Sequence, residues 1–223
     1  MNRLTLIAFV VTLLAIGGGV SWYLLDTSKE VRNAPVVTPP DLTPGLSIYT
    51  NGTYGFSVFY PDDALISYEF DSSYHLGTLW RANALPAGEG VPIVAIVPYQ
   101  VTNDTAYPRY FNAMVRIGAS TNPDEVARCE EVAEEQGETK LPDVTIQGHT
   151  WSAFSFQSAG MMQYAEGVSY RTIFEDSCIA MEKVRTGSSY REDAASPNDI
   201  SDETLAAEYA ALDAIVSSFS FAR

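Results

Sequence analysis

The chain has 223 residues, of which 46% are apolar and 12% aromatic, so it can bury a hydrophobic core. Its 28 acidic residues outnumber its 13 basic residues, which gives a formal net charge of -15. This charge repels phosphate backbones and therefore argues against a nucleic-acid partner. An acidic surface promotes solubility and can also attract cations or a basic protein.

The first 25 residues predict a transmembrane anchor. The segment from Leu4 to Leu25 has no charged residue, and a helix of this length, at about 1.5 Å per residue, crosses a hydrocarbon core of about 30 Å. The alternative is a cleaved signal peptide, whose apolar region usually covers only about 7 to 15 residues. Here the apolar chain continues beyond Gly17, Gly18 and Gly19, which favours an uncleaved anchor.

The residues at the two ends of this segment predict its orientation. Arg3 precedes the span, and Trp22 and Tyr23 lie at its far end, where aromatic rings favour the membrane interface. A short positive flank stays in the cytoplasm. The sequence therefore predicts a single-pass membrane protein with a cytoplasmic N-terminus and an extracytoplasmic domain.

Residues 26–45 predict a linker, because they contain Pro35, Pro39, Pro40 and Pro44. Proline fixes φ, removes an amide donor and extends the preceding residue. Such a segment is a semi-rigid spacer of up to about 3 Å per residue. We expect it to hold a domain of residues 46–223 away from the bilayer.

Alternating apolar residues predict eight or nine strands in this domain. In "YGFSVFYP" the side chains of Phe56, Val58 and Tyr60 share one face, and Pro61 ends the strand. The run "IVAIV" is apolar on both faces, as in a strand covered on both sides. The other predicted strands cover residues 65–70, 75–84, 110–117, 144–147, 150–157, 170–174 and 178–184. Short turns between neighbours predict antiparallel pairing.

Two helices are predicted. The first covers residues 122–137, with Asn122 as its N-cap and Gly137 as its stop. The second follows the N-cap Ser201 and places one apolar stripe along its length. Its members are Leu205, Tyr209, Leu212, Val216 and Phe219. The fold class predicted from these elements is α+β, with a largely antiparallel central sheet flanked by helices.

Two segments carry a resemblance to a known family. The domain begins with "YTNGTYGFSVFYP" and its last helix ends in "LDAIVSSFSF". With a mixed sheet between them, this arrangement resembles the PsbP-like domains of photosynthetic lumenal proteins and of membrane-anchored bacterial proteins. The resemblance implies an α-β-α sandwich and an accessory or partner-binding role. It implies no site residues, because no functional motif of the family matches residue by residue.

The two cysteines, Cys129 and Cys178, are predicted to form a disulfide, because they are an even number in a domain placed in an oxidising compartment. The alternative is that each is a separate buried apolar side chain. We expect both to point into the core, which argues against a nucleophilic thiol.

Candidate catalytic and metal-binding residues are few. The only histidines are His75 and His149; Asp71, Ser73 and His75 lie too close along one strand to converge on a substrate, and no G-x-S-x-G motif occurs. Four oxygen ligands for Ca²⁺ lie near the last helix, but without the spacing of a calcium loop, and they equally fit a helix N-terminus. These are Asn198, Asp199, Asp202 and Glu203.

Aromatic and basic residues beside the predicted loops form a candidate recognition patch. Filling the core is the alternative role of its aromatic members. The residues are Tyr107, Arg109, Tyr110, Tyr190 and Arg191.

The function predicted from these observations is a membrane-anchored, non-catalytic module that binds a protein or envelope component. No catalytic residue, cofactor or metal is assigned. The alternatives are a cation-binding or structural envelope domain, and a hydrolase whose site the sequence does not reveal.

Overall fold

The computed structural model describes residues 45–73, 75–84, 89–101, 110–188 and 200–222. All of them belong to one compact unit, Leu42–Arg223. The predicted anchor and the linker up to residue 44 lie outside the described residues.

The strands form two antiparallel sheets. The small sheet has the order β1-β2-β11, with β1 at Leu46–Asn51, β2 at Phe56–Pro61 and β11 at Ser220–Phe221. The large sheet has the order β3-β4-β5-β10-β9-β8-β6, and β7 pairs with β8. Its strands are β3 (Leu65–Ser67), β4 (Val91–Val101), β5 (Phe111–Ser120), β6 (Glu138–Lys140), β7 (Val144–Ile146), β8 (His149–Gly160), β9 (Gln163–Phe174) and β10 (Ser177–Ser188).

The described residues contain two α-helices and one 3-10 turn. Helix α1 covers Pro123–Ala127, a 3-10 turn covers Glu134–Gln136, and helix α2 covers Asp202–Ser218. Both predicted N-caps are confirmed: Asn122 accepts hydrogen bonds from the amides of Asp124 and Glu125, and Ser201 accepts one from the amide of Thr204.

The main apolar core lies between one face of the large sheet, helix α2 and the small sheet. We call this side of the large sheet its helix face. On it, Trp151 of β8 packs edge-on against Phe219, and Phe221 stacks on Phe174 with ring centroids 3.8 Å apart. Aromatic contacts of this kind add to the free energy gained by burying the rings.

The opposite face of the large sheet, which we call the loop face, is covered by the segment before β4 and by α1. Trp80 and Leu76 of that segment are buried there. Gly118 in β5 allows the approach, because a Cβ atom at this position would overlap the carbonyl oxygen of Trp80.

The predicted fold class is wrong. The antiparallel sheet is present, but the described residues are mostly β, with two sheets and only two α-helices, and they do not form an α-β-α sandwich. The helix predicted over residues 122–137 accounts for much of the error, because α1 ends at Ala127. Beyond it the backbone bonds to side chains of the sheet: Arg171 donates to the Glu131 carbonyl, and the Ala133 amide donates to Glu138.

The strand predicted over residues 75–84 is also absent. This segment contains only an isolated bridge between Ser73 and Leu76. Its apolar side chains insert onto the loop face, and the amide of Ala82 donates to Glu182 Oε1 at 2.7 Å instead of to a neighbouring strand. The apolar residues at every second or fourth position of this segment therefore belong to a buried loop and not to a strand.

The predicted localisation as a single-pass membrane protein is wrong for this part of the chain. Across residues 45–222, wherever the structure describes them, no helix has the length and apolar character needed to cross a bilayer.

Candidate functional site: an open polar cleft

An open cleft of about 300 Å³ lies on the helix face, beyond the part that α2 covers. Its floor is a row of three polar side chains on adjacent strands. Gln157 of β8 lies opposite Glu166 of β9, which lies opposite Arg185 of β10. Residues at every second position share a face, so this row continues the face that carries Trp151 and Tyr170 in the core.

An ion pair occupies the middle of this polar cleft. Arg185 donates from Nε and Nη2 to the same carboxylate oxygen, Oε1 of Glu166, at 2.6 Å each. The two side chains are 31% and 36% exposed. This geometry leaves Oε2 of Glu166 and Nη1 of Arg185 able to meet a ligand, so the pair is both fixed in position and open to contact.

Tyr209 of helix α2 forms the wall of the cleft nearest the core. Its hydroxyl donates to the carbonyl of Lys183 at 3.3 Å. Two cations lie over its ring: Lys183 Nζ is 4.3 Å and Arg185 Cζ 4.9 Å from the centroid. Burial raises the pKa of the Tyr209 hydroxyl, while the charge of Arg185 lowers it by less. The Tyr209 hydroxyl is therefore neutral at physiological pH.

The cleft is lined by side chains that form hydrogen bonds. Thr139 of β6 lies opposite Ser155 of β8, which adds two hydroxyl groups beside the polar row. Together with the amide of Gln157 and the ion pair, the cleft presents donors and acceptors in a small volume. Such a lining recognises a polar group of a ligand or of a partner chain.

The predicted disulfide is present and lies away from this cleft. Cys129, just beyond α1, is bonded to Cys178 at the start of β10, with the two Cα atoms 5.6 Å apart. Both side chains are fully buried on the loop face, together with Trp80 and Ala180. The bond attaches the segment after α1 to the large sheet.

The two histidines lie outside the polar cleft. His75 packs against the end of β8, where its Nδ1 is 3.0 Å from the hydroxyl of Ser158 and its Nε2 is 3.0 Å from the carbonyl of Gly160. Ser158 follows Gln157 and so points to the other face of the strand. The ring of His149 packs edge-on against Phe221, with centroids 4.9 Å apart.

The predicted calcium ligands and aromatic patch are only partly described. Asp202 and Glu203 lie in the first turn of α2, and Tyr110 places its hydroxyl 3.0 Å from that of Thr186. Within the described ranges no group of three His, Cys, Asp or Glu residues is arranged to hold a metal ion. The other residues of both sets lie outside the described residues. They are Asn198, Asp199, Tyr107, Arg109, Tyr190 and Arg191.

The cleft residues Gln157, Glu166 and Arg185 were not predicted from the sequence. Along the same face, β8 changes from Trp151 to Ser155 and Gln157, and β10 changes from Met181 to Lys183 and Arg185. A change from apolar to polar along one face marks where the core ends. The signal was present, but its meaning depended on the strand register, which the sequence alone does not give.

The fold and this cleft define an antiparallel β domain with an open polar recess on one sheet. No family model matches the chain, and no curated protein matches it. Among solved structures, the solution structure of cyanobacterial PsbP (CyanoP) from Synechocystis is similar, with 10% sequence identity and a TM-score of 0.39. The alignment covers 84% of this chain and 99% of that one. The likeness is distant and does not assign this chain to the family.

Proposed function

We propose that this chain is a non-catalytic binding module and that the polar cleft on the helix face holds a polar group of a partner protein. The observation that carries the proposal is the Glu166–Arg185 pair, which is held at 2.6 Å yet remains about one third exposed within a concave, hydrogen-bonding recess. A preorganised and accessible charge pair of this kind suits recognition, because little conformational entropy is lost when it is bound.

The charge of the chain supports a partner of complementary charge. A net charge of -15 attracts basic surfaces and accelerates their encounter with this one. Glu166 can accept from a basic side chain through its second oxygen, and Arg185 can orient an adjacent carbonyl or carboxylate of the same partner.

We also propose that the chain is a distant member of the PsbP-like domains. The support comes from this chain itself: the two segments on which the resemblance rests are neighbours in space. "YGFSVFYP" contains β2, and "LDAIVSSFSF" contains the end of α2 and β11, which pairs with β2 through Phe221 and Phe56.

The test of the binding role is chemical cross-linking with the full chain in extracts of its source, followed by mass spectrometry. Three proteins are compared: the wild type, the variant Glu166→Gln with Arg185→Gln, and a matched control, Lys140→Gln with Asp143→Asn. The control removes another exposed ion pair of the same 2.6 Å length.

We expect one dominant partner with the wild type and the control, and its loss with the cleft variant. Recovery of the partner by all three proteins would show that the binding surface lies outside the polar cleft. If no partner is recovered reproducibly from any of them, the binding role itself is contradicted.

A further inference from the structure

The loop face carries a second recess, which we call the arginine pocket. It has a volume of about 360 Å³ and is lined by Arg81, Asn83 and Arg128 on one side and by residues 131–136 on the other. It is separated from the polar cleft by the large sheet, because Arg171 beneath it and Glu166 in the cleft lie on opposite faces of β9.

The walls of the arginine pocket are held by buried carboxylates. Asn83 donates from Nδ2 to Glu138 Oε1 at 3.3 Å, and the amide of Ala133 donates to the other oxygen of Glu138 at 2.9 Å. Glu138 is itself paired with Arg171, and both side chains are fully buried. One carboxylate thus ties the two sides of the recess to the sheet.

The guanidinium groups here outnumber the carboxylates that neutralise them. Arg81 and Arg128 each place Nη2 3.3 Å from an oxygen of the same residue, Glu125. Arg171 is neutralised by Glu138. The pKa of Arg171 is lowered, first by burial and next by the positive charge of Arg81. The charge of Arg81 therefore acts on the buried Arg171.

Arg81 also has unmet hydrogen-bonding capacity. Its side chain is only 6% exposed, and its Nε and Nη1 are buried without a hydrogen-bond partner in the structure. Buried donors are almost always paired in folded proteins, and an unpaired one on a charged group is costly. These two nitrogens are themselves buried, so an anionic group entering the arginine pocket would be attracted by the charge of this guanidinium and not by its two unpaired donors.

The opposite side of the pocket has the opposite charge. Glu131, Glu134 and Glu135 all line it. These carboxylates would repel a ligand that is only anionic, and the two arginines would repel one that is only cationic. A ligand with both charges a few ångströms apart satisfies both sides.

We propose that the arginine pocket binds a small zwitterion of the α-amino acid class. Its carboxylate lies against Arg81 and Arg128, and its ammonium group faces the carboxylates of residues 131–135. The half-exposed Arg128 forms the entrance, and the buried Arg81 is the fixed end of the site.

The test is calorimetric titration of the full chain at low ionic strength and pH 7 with three probes: L-alanine, acetate and ethylammonium. Alanine carries both charges, and each of the others carries one. We expect alanine to bind at least about tenfold more tightly than either, since both ends contribute to its binding free energy. The Arg81 Nε–H signal in an NMR spectrum should move during the alanine titration.

The informative variant is Arg128→Gln, because this side chain is 45% exposed and the buried Glu125 keeps its pairing with Arg81 when Arg128 is replaced. We expect it to weaken alanine binding about tenfold or more. The control, Lys140→Gln, removes a cation that is 42% exposed outside the pocket and should leave the affinity unchanged.

Three results would overturn the proposal: no alanine binding at about 100 mM, acetate binding as tight as alanine, or an unchanged affinity in Arg128→Gln. The cleft variant of Glu166 and Arg185 should bind alanine normally. The amino-acid site and the protein-binding role can therefore fail independently.

Discussion

At the scale of single residues, Tyr209 makes stability depend on alkaline pH. Burial raises its pKa above the ordinary value of 10.0. Above pH 10 the unfolded chain releases this proton while the folded chain retains it, so the free energy of unfolding falls as pH rises. Each pH unit over which only the unfolded state ionises removes about 1.4 kcal/mol.

We predict that Tyr209→Phe lowers stability by about 1 kcal/mol at pH 7, because the hydrogen bond to the Lys183 carbonyl is lost. The same variant should lose less stability than the wild type between pH 10 and about pH 11.5. Urea unfolding across this range measures both effects. Tyr68→Phe, with a ring that is 66% exposed, is the control and should keep the wild-type slope. Parallel profiles for Tyr209→Phe and the wild type would contradict the prediction.

The charged residues of the loop face show what sequence reasoning missed at this scale. Arg116 of β5 and Glu182 of β10 form an ion pair at 2.6 Å, with each side chain only 1% exposed. Their positions within apolar strands were visible in "MVRIG" and "AMEKV". A charged residue in a strand is normally read as facing solvent. The pairing became evident only when the register placed Arg116 opposite Glu182.

At the scale of elements, the disulfide fixes a segment that α1, with only five residues, is too short to hold in place alone. It joins positions 49 residues apart. Closing a loop of this length stabilises a fold by about 4 kcal/mol in the chain-entropy model. We predict that Cys129→Ser with Cys178→Ser lowers the free energy of unfolding by that order.

Chemical denaturation with and without a reductant measures this effect. The wild type in reductant should unfold at nearly the same midpoint as the double variant, and the variant should not respond to reductant. Equal midpoints for the oxidised wild type and the variant would show that the bond does not stabilise the fold.

The β8–β9 hairpin shows why some elements could not be predicted. Its tip consists of Met161 and Met162, whose φ angles are 47° and 65°. Tight hairpins of this geometry usually carry Asn-Gly, because glycine adopts positive φ without strain. Two methionines give no turn signal, so the two 12-residue strands were predicted only as shorter pieces.

At the scale of the whole molecule, Phe221 of β11 completes one side of the main core. Phe221 pairs with Phe56, stacks on Phe174 and lies parallel to Trp151 at 5.9 Å. It is only 8% exposed. The strand β2 and the β8–β9 hairpin, which are far apart in sequence, therefore both contact β11 at this residue.

We predict that Phe221→Ala costs about 3 to 5 kcal/mol, the usual range for deleting a buried phenylalanine. Thermal unfolding of the variant measures the loss. Ile173→Ala in β9 is the control, since its side chain is 46% exposed and its removal should have a small effect. A loss no greater than that of the control would show that β11 is peripheral.

The architecture as a whole could be predicted only in part. The strand at residues 56–61, the antiparallel pairing and the final helix with its buried Leu205, Leu212 and Val216 followed from local patterns. The packing of these elements into layers could not be predicted from the same patterns. Covering the loop face with an irregular segment requires buried charge pairs and close approach at Gly118, and these long-range contacts leave no local periodicity.

The order β1-β2-β11 has a mechanical consequence. Both β1 and β11 are antiparallel to β2, with Leu46 opposite Pro61 and Phe221 opposite Phe56. Tension applied between a point before β1 and a point after β11 would pull these two outer strands in opposite directions along their length. The interstrand hydrogen bonds would then be loaded together in shear instead of being opened one by one. The shorter β11 ladder, with two register pairs against six for β1, would be the first to slip in a single-molecule pulling experiment.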